Sequence, residues 1–198
     1  GRGRYMQEAV PVGTGAMAAI IGLDLEKVEQ ACREAAEGQV VSPANINEPA
    51  QVVIAGHAEA VTRAGLRARA LGARKVLPLN VSAPFHCALM QPAEARLAPD
   101  LRALAAQDPA VPVVANVDAE IKRTAAESIE ALVAQVSRPV RWLDLVRRLA
   151  SAGVRTYVEV GPGAVLSGLI QRIHPEATAV NVDRDFGQPA MEALFVAS

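Results

Sequence analysis

Asn47-Glu48-Pro49-Ala50-Gln51-Val52-Val53-Ile54-Ala55-Gly56 joins a turn to an apolar run, and this junction decides how the first part of the chain folds. Pro49 fixes φ and lacks an amide, so Asn47-Glu48-Pro49 reads as a turn. The β-branched run that follows reads as a strand closed by Gly56. On the other side of the turn, residues 40–46 form a second strand. Working outward, Asp24 is placed to cap a helix that runs through Val28, Cys32 and Ala35 and stops at Gly38. Residues 16–21 form a buried strand before that helix. Beyond Gly56, residues 58–71 carry Val61, Ala64 and Leu66 at helical spacing and end at Gly72, and a strand follows over 75–79. The order βαββαβ is the ferredoxin-like arrangement, which assigns residues 13–80 to a subdomain.

Residues 2–12 read as the tail of a helix, with Tyr5, Met6 and Val10 on one face, broken by Pro11 and Gly13-Thr14-Gly15. So short a helix is marginal alone, so the chain is expected to start inside a fold. After residue 80 comes Val81-Ser82-Ala83-Pro84-Phe85-His86-Cys87-Ala88-Leu89-Met90, a corner between a strand and a helix over 89–104. Pro84 pushes Ala83 out of the helical region, so that helix starts no earlier than about His86. A strand is expected over 113–117, and a helix with Ile129, Leu132, Val133 and Val136 on one face. Pro139-Val140-Arg141-Trp142 leads into a helix over 143–152. Strand 154–160, turn Gly161-Pro162-Gly163, helix 164–173, strand 177–182 and a closing helix over 188–196 complete the chain. Such alternation implies a mostly parallel sheet with helices on both faces, built from residues 1–12 and 81–198.

The chain is 51% hydrophobic but only 3% aromatic, so its core must be built from Ala, Val, Leu and Ile. A net charge of −1, with no basic stretch interleaved with aromatics, argues against nucleic acid as a partner. Cys32 and Cys87 lie far apart with no CxxC spacing, which speaks against a disulfide framework or a zinc site and for a reducing cytoplasm. The longest apolar run, residues 16–23, is too short for a membrane span and is interrupted by Gly22.

Chemistry concentrates at three places. His86 lies at the strand-to-helix corner, where an imidazole serves as a general base or simply packs at a helix start. Val160-Gly161-Pro162-Gly163-Ala164-Val165-Leu166 is a strand-glycine-helix junction whose amides could face an anion, or an ordinary turn. It is not GxGxxG and has no acidic residue placed for a dinucleotide. Arg2 and Arg4, with Tyr5, are either solvated or suited to a carboxylate. No serine sits in a GxSxG elbow, and neither HExxH nor a P-loop is present. Cys87 beside His86 is a poor nucleophile candidate, because adjacent helical residues diverge by about 100°.

Together these stretches resemble the malonyl-CoA:acyl carrier protein transacylase family. The matching segments are Arg2-Gly3-Arg4-Tyr5-Met6-Gln7-Glu8-Ala9-Val10-Pro11, Gly13-Thr14-Gly15-Ala16-Met17, Asn45-Ile46-Asn47-Glu48-Pro49 and Gln51-Val52-Val53-Ile54-Ala55-Gly56. To these are added Pro84-Phe85-His86-Cys87-Ala88-Leu89-Met90, Pro139-Val140-Arg141-Trp142 and Glu159-Val160-Gly161-Pro162-Gly163. The resemblance implies an α/β fold: part of an α/β-hydrolase-like parallel-sheet core carrying an inserted ferredoxin-like βαββαβ subdomain. It implies ping-pong transfer of malonyl from coenzyme A, through a seryl ester, to the phosphopantetheine thiol of acyl carrier protein. His86 falls on the base that activates the serine, and Gln135 on the residue whose backbone carbonyl holds that base. Arg2 falls on the clamp for the free malonyl carboxylate, and Phe85 on a position linked to acyl selectivity. Asn45, Asn47 and Val165 fall on pocket-lining positions.

No bound cofactor or metal is implied, malonyl-CoA being the substrate, and a cytoplasmic monomer is expected. The family's Gly-His-Ser-x-Gly elbow and its upstream glutamine loop precede the position of Arg2 and are not in this sequence. The expectation is therefore a C-terminal portion that does not turn over alone. Two other readings stay open: a non-catalytic module that binds a carrier protein, and an acyltransferase domain of a polyketide synthase.

Overall fold

The computed structural model describes residues 1–185, in two compact units divided at Leu145 and Val146, within a helix. The first unit opens with α1 (Arg2–Ala9). It continues with β1 (Gly15–Ile21), α2 (Leu25–Ala35), β2 (Val41–Glu48), β3 (Gln51–His57), α3 (Ala58–Ala70) and β4 (Lys75–Pro78). The four strands form one antiparallel sheet in the order β2-β3-β1-β4, the ferredoxin-like topology. The Asp24 carboxylate accepts from the Lys27 amide at 2.9 Å and so caps α2. Strand alternation then sorts the side chains. Ala18, Ile20, Val52 and Ile54 meet Val28, Cys32, Val61 and Ala64 of the two helices in the first core. Met17, Ala19, Ala44, Val53 and Ala55 face the other way and pack on Cys87, with Phe85 and Leu89 against them.

Several expectations shift. Leu66 is 65% exposed, and α3 instead buries Ala60, Val61, Ala64, Gly65 and Ala68, a stripe narrow enough for close approach to the sheet. β2 runs on to Glu48 through irregularities between Pro43 and Asn45 and between Ile46 and Glu48, so the turn narrows to Pro49 and Ala50. Ala44 and Asn47, which have no partner in the β3 register, interrupt the ladder locally, and it resumes after each. Val140 bonds to that edge: its amide donates to the Ala44 carbonyl and its carbonyl accepts from the Ile46 amide, both at 2.8 Å.

Beyond the sheet, residues 79–87 form a loop. A short 3₁₀ turn (Ala88–Met90) leads into α4 (Gln91–Arg102), a later start than expected. α1 packs along α4, where Met6, Val10, Ala83, Met90, Ala93, Leu97 and Val136 form a second core. Only Val113–Val114 of the expected strand over 113–117 is a strand, β5. It pairs with β6 (Ile121–Lys122) in a hairpin that no periodicity marked, turning through Ala119 at φ +59°. α5 (Ala125–Ala134) starts with a capping box between Thr124 and Glu127. Its inward residues are Ala131 and Val133, with Val136 just beyond. Leu132, a helical step of about 100° away, is 54% exposed.

α6 (Trp142–Ser151) crosses the division between the units. The second unit then has β7 (Thr156–Glu159), α7 (Val165–Ile173) and β8 (Thr178–Asn181), with β7 and β8 paired in parallel as expected of a βαβ unit. Inside it the Tyr157 hydroxyl lies 3.1 Å from Nδ1 of buried His174. The closing helix expected over 188–196 lies outside the described residues. The whole is an α/β fold: a partial α/β-hydrolase-like core with an inserted ferredoxin-like subdomain.

Candidate active site

The loop bearing His86 is seated against the sheet by Pro84. A Cβ on Gly15, where β1 begins, would lie 2.3 Å from a Pro84 ring carbon, so only glycine lets the loop cross there. Ala83 and Cys87 on either side are buried. Between them His86 takes φ +59°, a left-handed conformation uncommon for a side chain with a Cβ and typical of functional corners. This is not the first helical turn expected from sequence; the turn inserts the ring between the loop and the end of α5.

There Nδ1 of His86 lies 2.9 Å from the Gln135 carbonyl oxygen and 3.2 Å from that of Arg138. The Gln135 carbonyl is available for a covalent reason. The chain continues helically past α5, with Arg138 N donating to Ala134 O at 3.2 Å, but the next donor, due to reach Gln135, would be Pro139, which has no N–H. Carbonyls only accept, so Nδ1 carries the proton and Nε2 keeps its lone pair, which is the tautomer a base acting through Nε2 requires. Burial pushes the His86 pKa below 6.5, the two carbonyl bonds oppose that shift, and the positive charge of Arg2 adds to it. The neutral imidazole therefore dominates at neutral pH. Pro139, four positions after Gln135, is the sequence signal for this arrangement and went unread, as did the Arg138 carbonyl.

Arg2 opens α1 and is exposed, with no hydrogen bond or ion pair among the described residues. It borders a cavity of about 310 Å³ together with Leu97, Leu101, Leu132 and Gln135. α1 is held to α4 by contacts invisible in sequence. The Tyr5 hydroxyl donates to Asp100 at 2.8 Å, Arg96 bonds Glu8 at 2.7 Å, and the Arg96 guanidinium lies 4.4 Å from the Tyr5 ring centre. Gln7 also donates to the Ser82 carbonyl at 3.3 Å. His86, Gln135 and Arg2 are thus gathered on one side of the first unit.

Phe85, half-buried, touches both the core beneath the sheet and the core between α1 and α4. Asn45 is paired with Val53 across the β2–β3 ladder, which puts it on the sheet face that packs Phe85 and Cys87; Asn47 falls in the second irregularity of β2. Val165 is the first residue of α7 in the second unit and is 72% exposed. At the glycine junction, the Leu166 and Ser167 amides donate at 3.0 and 2.8 Å to the carboxylate of Glu159, and the Ser167 hydroxyl does so at 2.6 Å. An internal carboxylate thus takes the place the sequence reading left for an external anion.

The Cys87 thiol donates to the Pro84 carbonyl at 3.1 Å, and burial pushes its pKa up to about 11, which leaves it inert as a nucleophile. Among the described residues no cluster of three or more His, Cys, Asp or Glu is arranged to hold a metal, and no helix is long and apolar enough to cross a membrane.

The acyl transferase domain family matches residues 1–190. A malonyl CoA-acyl carrier protein transacylase of Escherichia coli K12 is 56% identical over 178 residues, covering 90% of this chain and 58% of the relative. Another of that name, from Bacillus subtilis, is 42% identical and covers 91% and 57%. Among solved structures, an acyl carrier protein S-malonyltransferase of Vibrio cholerae aligns with TM-score 0.89 at 49% identity, over 91% of this chain and 59% of its own. A malonyl-transacylase in complex with a type II polyketide acyl carrier protein aligns with TM-score 0.89 at 52% identity, over 91% and 59%. The chain spans somewhat under three fifths of the length of the curated relatives it matches.

Proposed function

The chain belongs to the acyl transferase domain family, and from that premise we propose that it supplies the base and the carboxylate clamp of a malonyl-CoA:acyl carrier protein transacylase. The observation that carries the proposal is the His86 ring, held by Nδ1 on the Gln135 carbonyl with Nε2 left free. In this reading a serine from the nucleophile elbow gives its proton to Nε2 and attacks the malonyl thioester carbonyl. The tetrahedral adduct collapses, coenzyme A leaves as a thiol with that proton, and a malonyl-seryl ester remains. The phosphopantetheine thiol of acyl carrier protein then gives its proton to Nε2 and attacks the ester, and the proton returns to the serine. A carbonyl in place of an Asp carboxylate as third member fixes the tautomer without adding negative charge beside the imidazole.

Arg2 at the mouth of its cavity is the group suited to the free malonyl carboxylate. Asn45, Asn47, Phe85 and Val165 are proposed as acyl-pocket lining, with residues 13–80 as the inserted subdomain and 1–12 with 81–198 as the core. Malonyl-CoA and acyl carrier protein are substrate and partner, no resident cofactor takes part, and the protein works as a cytoplasmic monomer. In this reading the serine belongs to a nucleophile elbow outside this sequence.

The test is enzyme malonylation by labelled malonyl-CoA in a protein that joins this chain to the elbow-bearing segment. Malonylation followed by transfer to acyl carrier protein is expected there. His86→Ala should lower the rate by about 10²–10⁴-fold with malonyl-CoA binding retained. A near-parental malonylation rate in that variant would remove His86 from the chemistry.

A further inference from the structure

We propose that Glu94 and Ser137 are positioning residues for His86, acting by fastening the carbonyl-bearing turn to the helix that also carries the histidine loop. The inference rests on the reading of His86 as the base. The half-buried Ser137 hydroxyl donates to a Glu94 carboxylate oxygen across 43 positions of sequence. Ser137 lies between Gln135 and Arg138, the two residues whose carbonyls meet Nδ1 of His86. Glu94 lies on α4, one turn after Met90, a fully buried residue just past the His86 loop.

The catalytic hydrogen bond joins residues 49 apart, and its length depends on two loops keeping one spacing. Helix α4 sets that spacing from both sides. Its N-cap Met90 and its Ala93 pack with Ala83 of the histidine loop, and through Glu94 it holds the turn at Ser137. The turn needs such a hold because Pro139 removes the helical bond that would otherwise fix the Gln135 carbonyl. Among its other attachments are the Arg138 amide on the Ala134 carbonyl, Val136, buried in the α1–α4 core, and Val140 on the edge of β2. They fix the turn's depth and its far end; the bond to Glu94 is a charge-assisted one made by the turn itself.

The charged neighbours are consistent with this role. Arg102 and Arg138 border the same cavity as Glu94, of about 330 Å³, and Arg102 makes a bidentate pair with Glu130 of α5 at 2.7 Å on both arms. Arg102 is thereby committed to the α4–α5 contact, and the carboxylate of Glu94 faces the serine.

The sequence holds three histidines, at 57, 86 and 174, so nitrogen-15 NMR reads each ring in the chain as it stands. His57 provides an internal reference of opposite tautomer, because its Nδ1 accepts from the Val40 amide at 2.9 Å. Ser137→Ala and Glu94→Ala should each reduce the Nδ1–H tautomer of His86 and lower its titration midpoint, with His57 and His174 unmoved. Ser137→Thr and Glu94→Gln, which keep a hydroxyl and an acceptor, should preserve the parental signals. In the protein that includes the nucleophile segment, the two alanine variants should lose up to about 10²-fold in kcat at unchanged KM. Parental His86 signals in Ser137→Ala would overturn the proposal, and so would loss of the folded spectrum in both alanine variants, which would mark a packing role. A shifted tautomer with undiminished transfer would uphold the fastening and remove His86 from the chemistry, so the two failures are distinguishable.

Discussion

Phe85→Ser takes away the aromatic ring that, with Leu89, reaches both cores flanking the histidine loop. An aromatic ring buries about 150–250 Å² in a folded protein. Phe85 is only partly hidden, so at about 25 cal/mol/Å² the loss is about 2–4 kcal/mol, below the upper end seen for fully buried rings. For a chain of this size each kcal/mol moves the midpoint by about 2–4 °C, so melting should fall by about 5–15 °C. Circular dichroism on the chain alone reads this without any transfer reaction. The same substitution in the protein with its nucleophile segment tests acyl selectivity. If the ring also fills the space of an α-methyl group, the methylmalonyl-to-malonyl ratio of kcat/KM should rise by about 10- to 200-fold. A lowered melting point with an unchanged ratio would make Phe85 a packing residue only. A melting point within about 2 °C of the parent would refute the packing argument itself, because no ring joining two cores could be lost so cheaply.

The buried, low-pKa imidazole of His86 predicts that the acid limb of malonyl transfer lies below pH 6.5, read from kcat/KM against pH. For stability the sign follows from burial favouring the neutral ring: the contribution is complete above pH 6.5, where the unfolded chain also holds neutral histidine, and declines as pH falls toward the lower folded value. Arg2→Ala should weaken malonyl transfer by about 1.5–3 kcal/mol, roughly 10- to 150-fold in kcat/KM, while acetyl transfer stays level or improves; equal losses for both acyl groups would make Arg2 structural. Cys87 and Cys32, with thiols pushed up to about 11 and about 12, should resist iodoacetamide at pH 7.5 in the native chain and react fully in denaturant. Rapid native alkylation, followed by mass spectrometry, would contradict the burial described for both.

Much of the subdomain was legible in order along the chain because its information is local. Short continuous apolar runs at residues 16–21 and 51–56, Asp24 as a cap and glycines at 38 and 72 mark elements whose ends depend on neighbours a few residues away. The stretches around Arg2 and His86 were legible for the same reason, as short motifs, whereas Gln135 rested on its position in a family resemblance and not on a motif of its own. Local pattern failed where partners are distant. Leu66 and Leu132 look like core in a helical count, yet which face turns inward is decided by the sheet and by α4. The β5–β6 hairpin has two-residue arms, too short to show a period.

The site divides the same way. Sequence alone determined which groups are present: an imidazole, a carbonyl freed by Pro139 and an arginine at a helix start. The meeting of Nδ1 with the carbonyls of Gln135 and Arg138, the left-handed turn at His86, the Tyr5–Asp100 and Arg96–Glu8 ties and the Ser137–Glu94 bond were decided only in three dimensions. Each joins residues 43 to 95 positions apart or is imposed by such a join. A hydrogen bond is directional and acts over about 3 Å, so no regularity along the chain encodes it until packing has closed the distance.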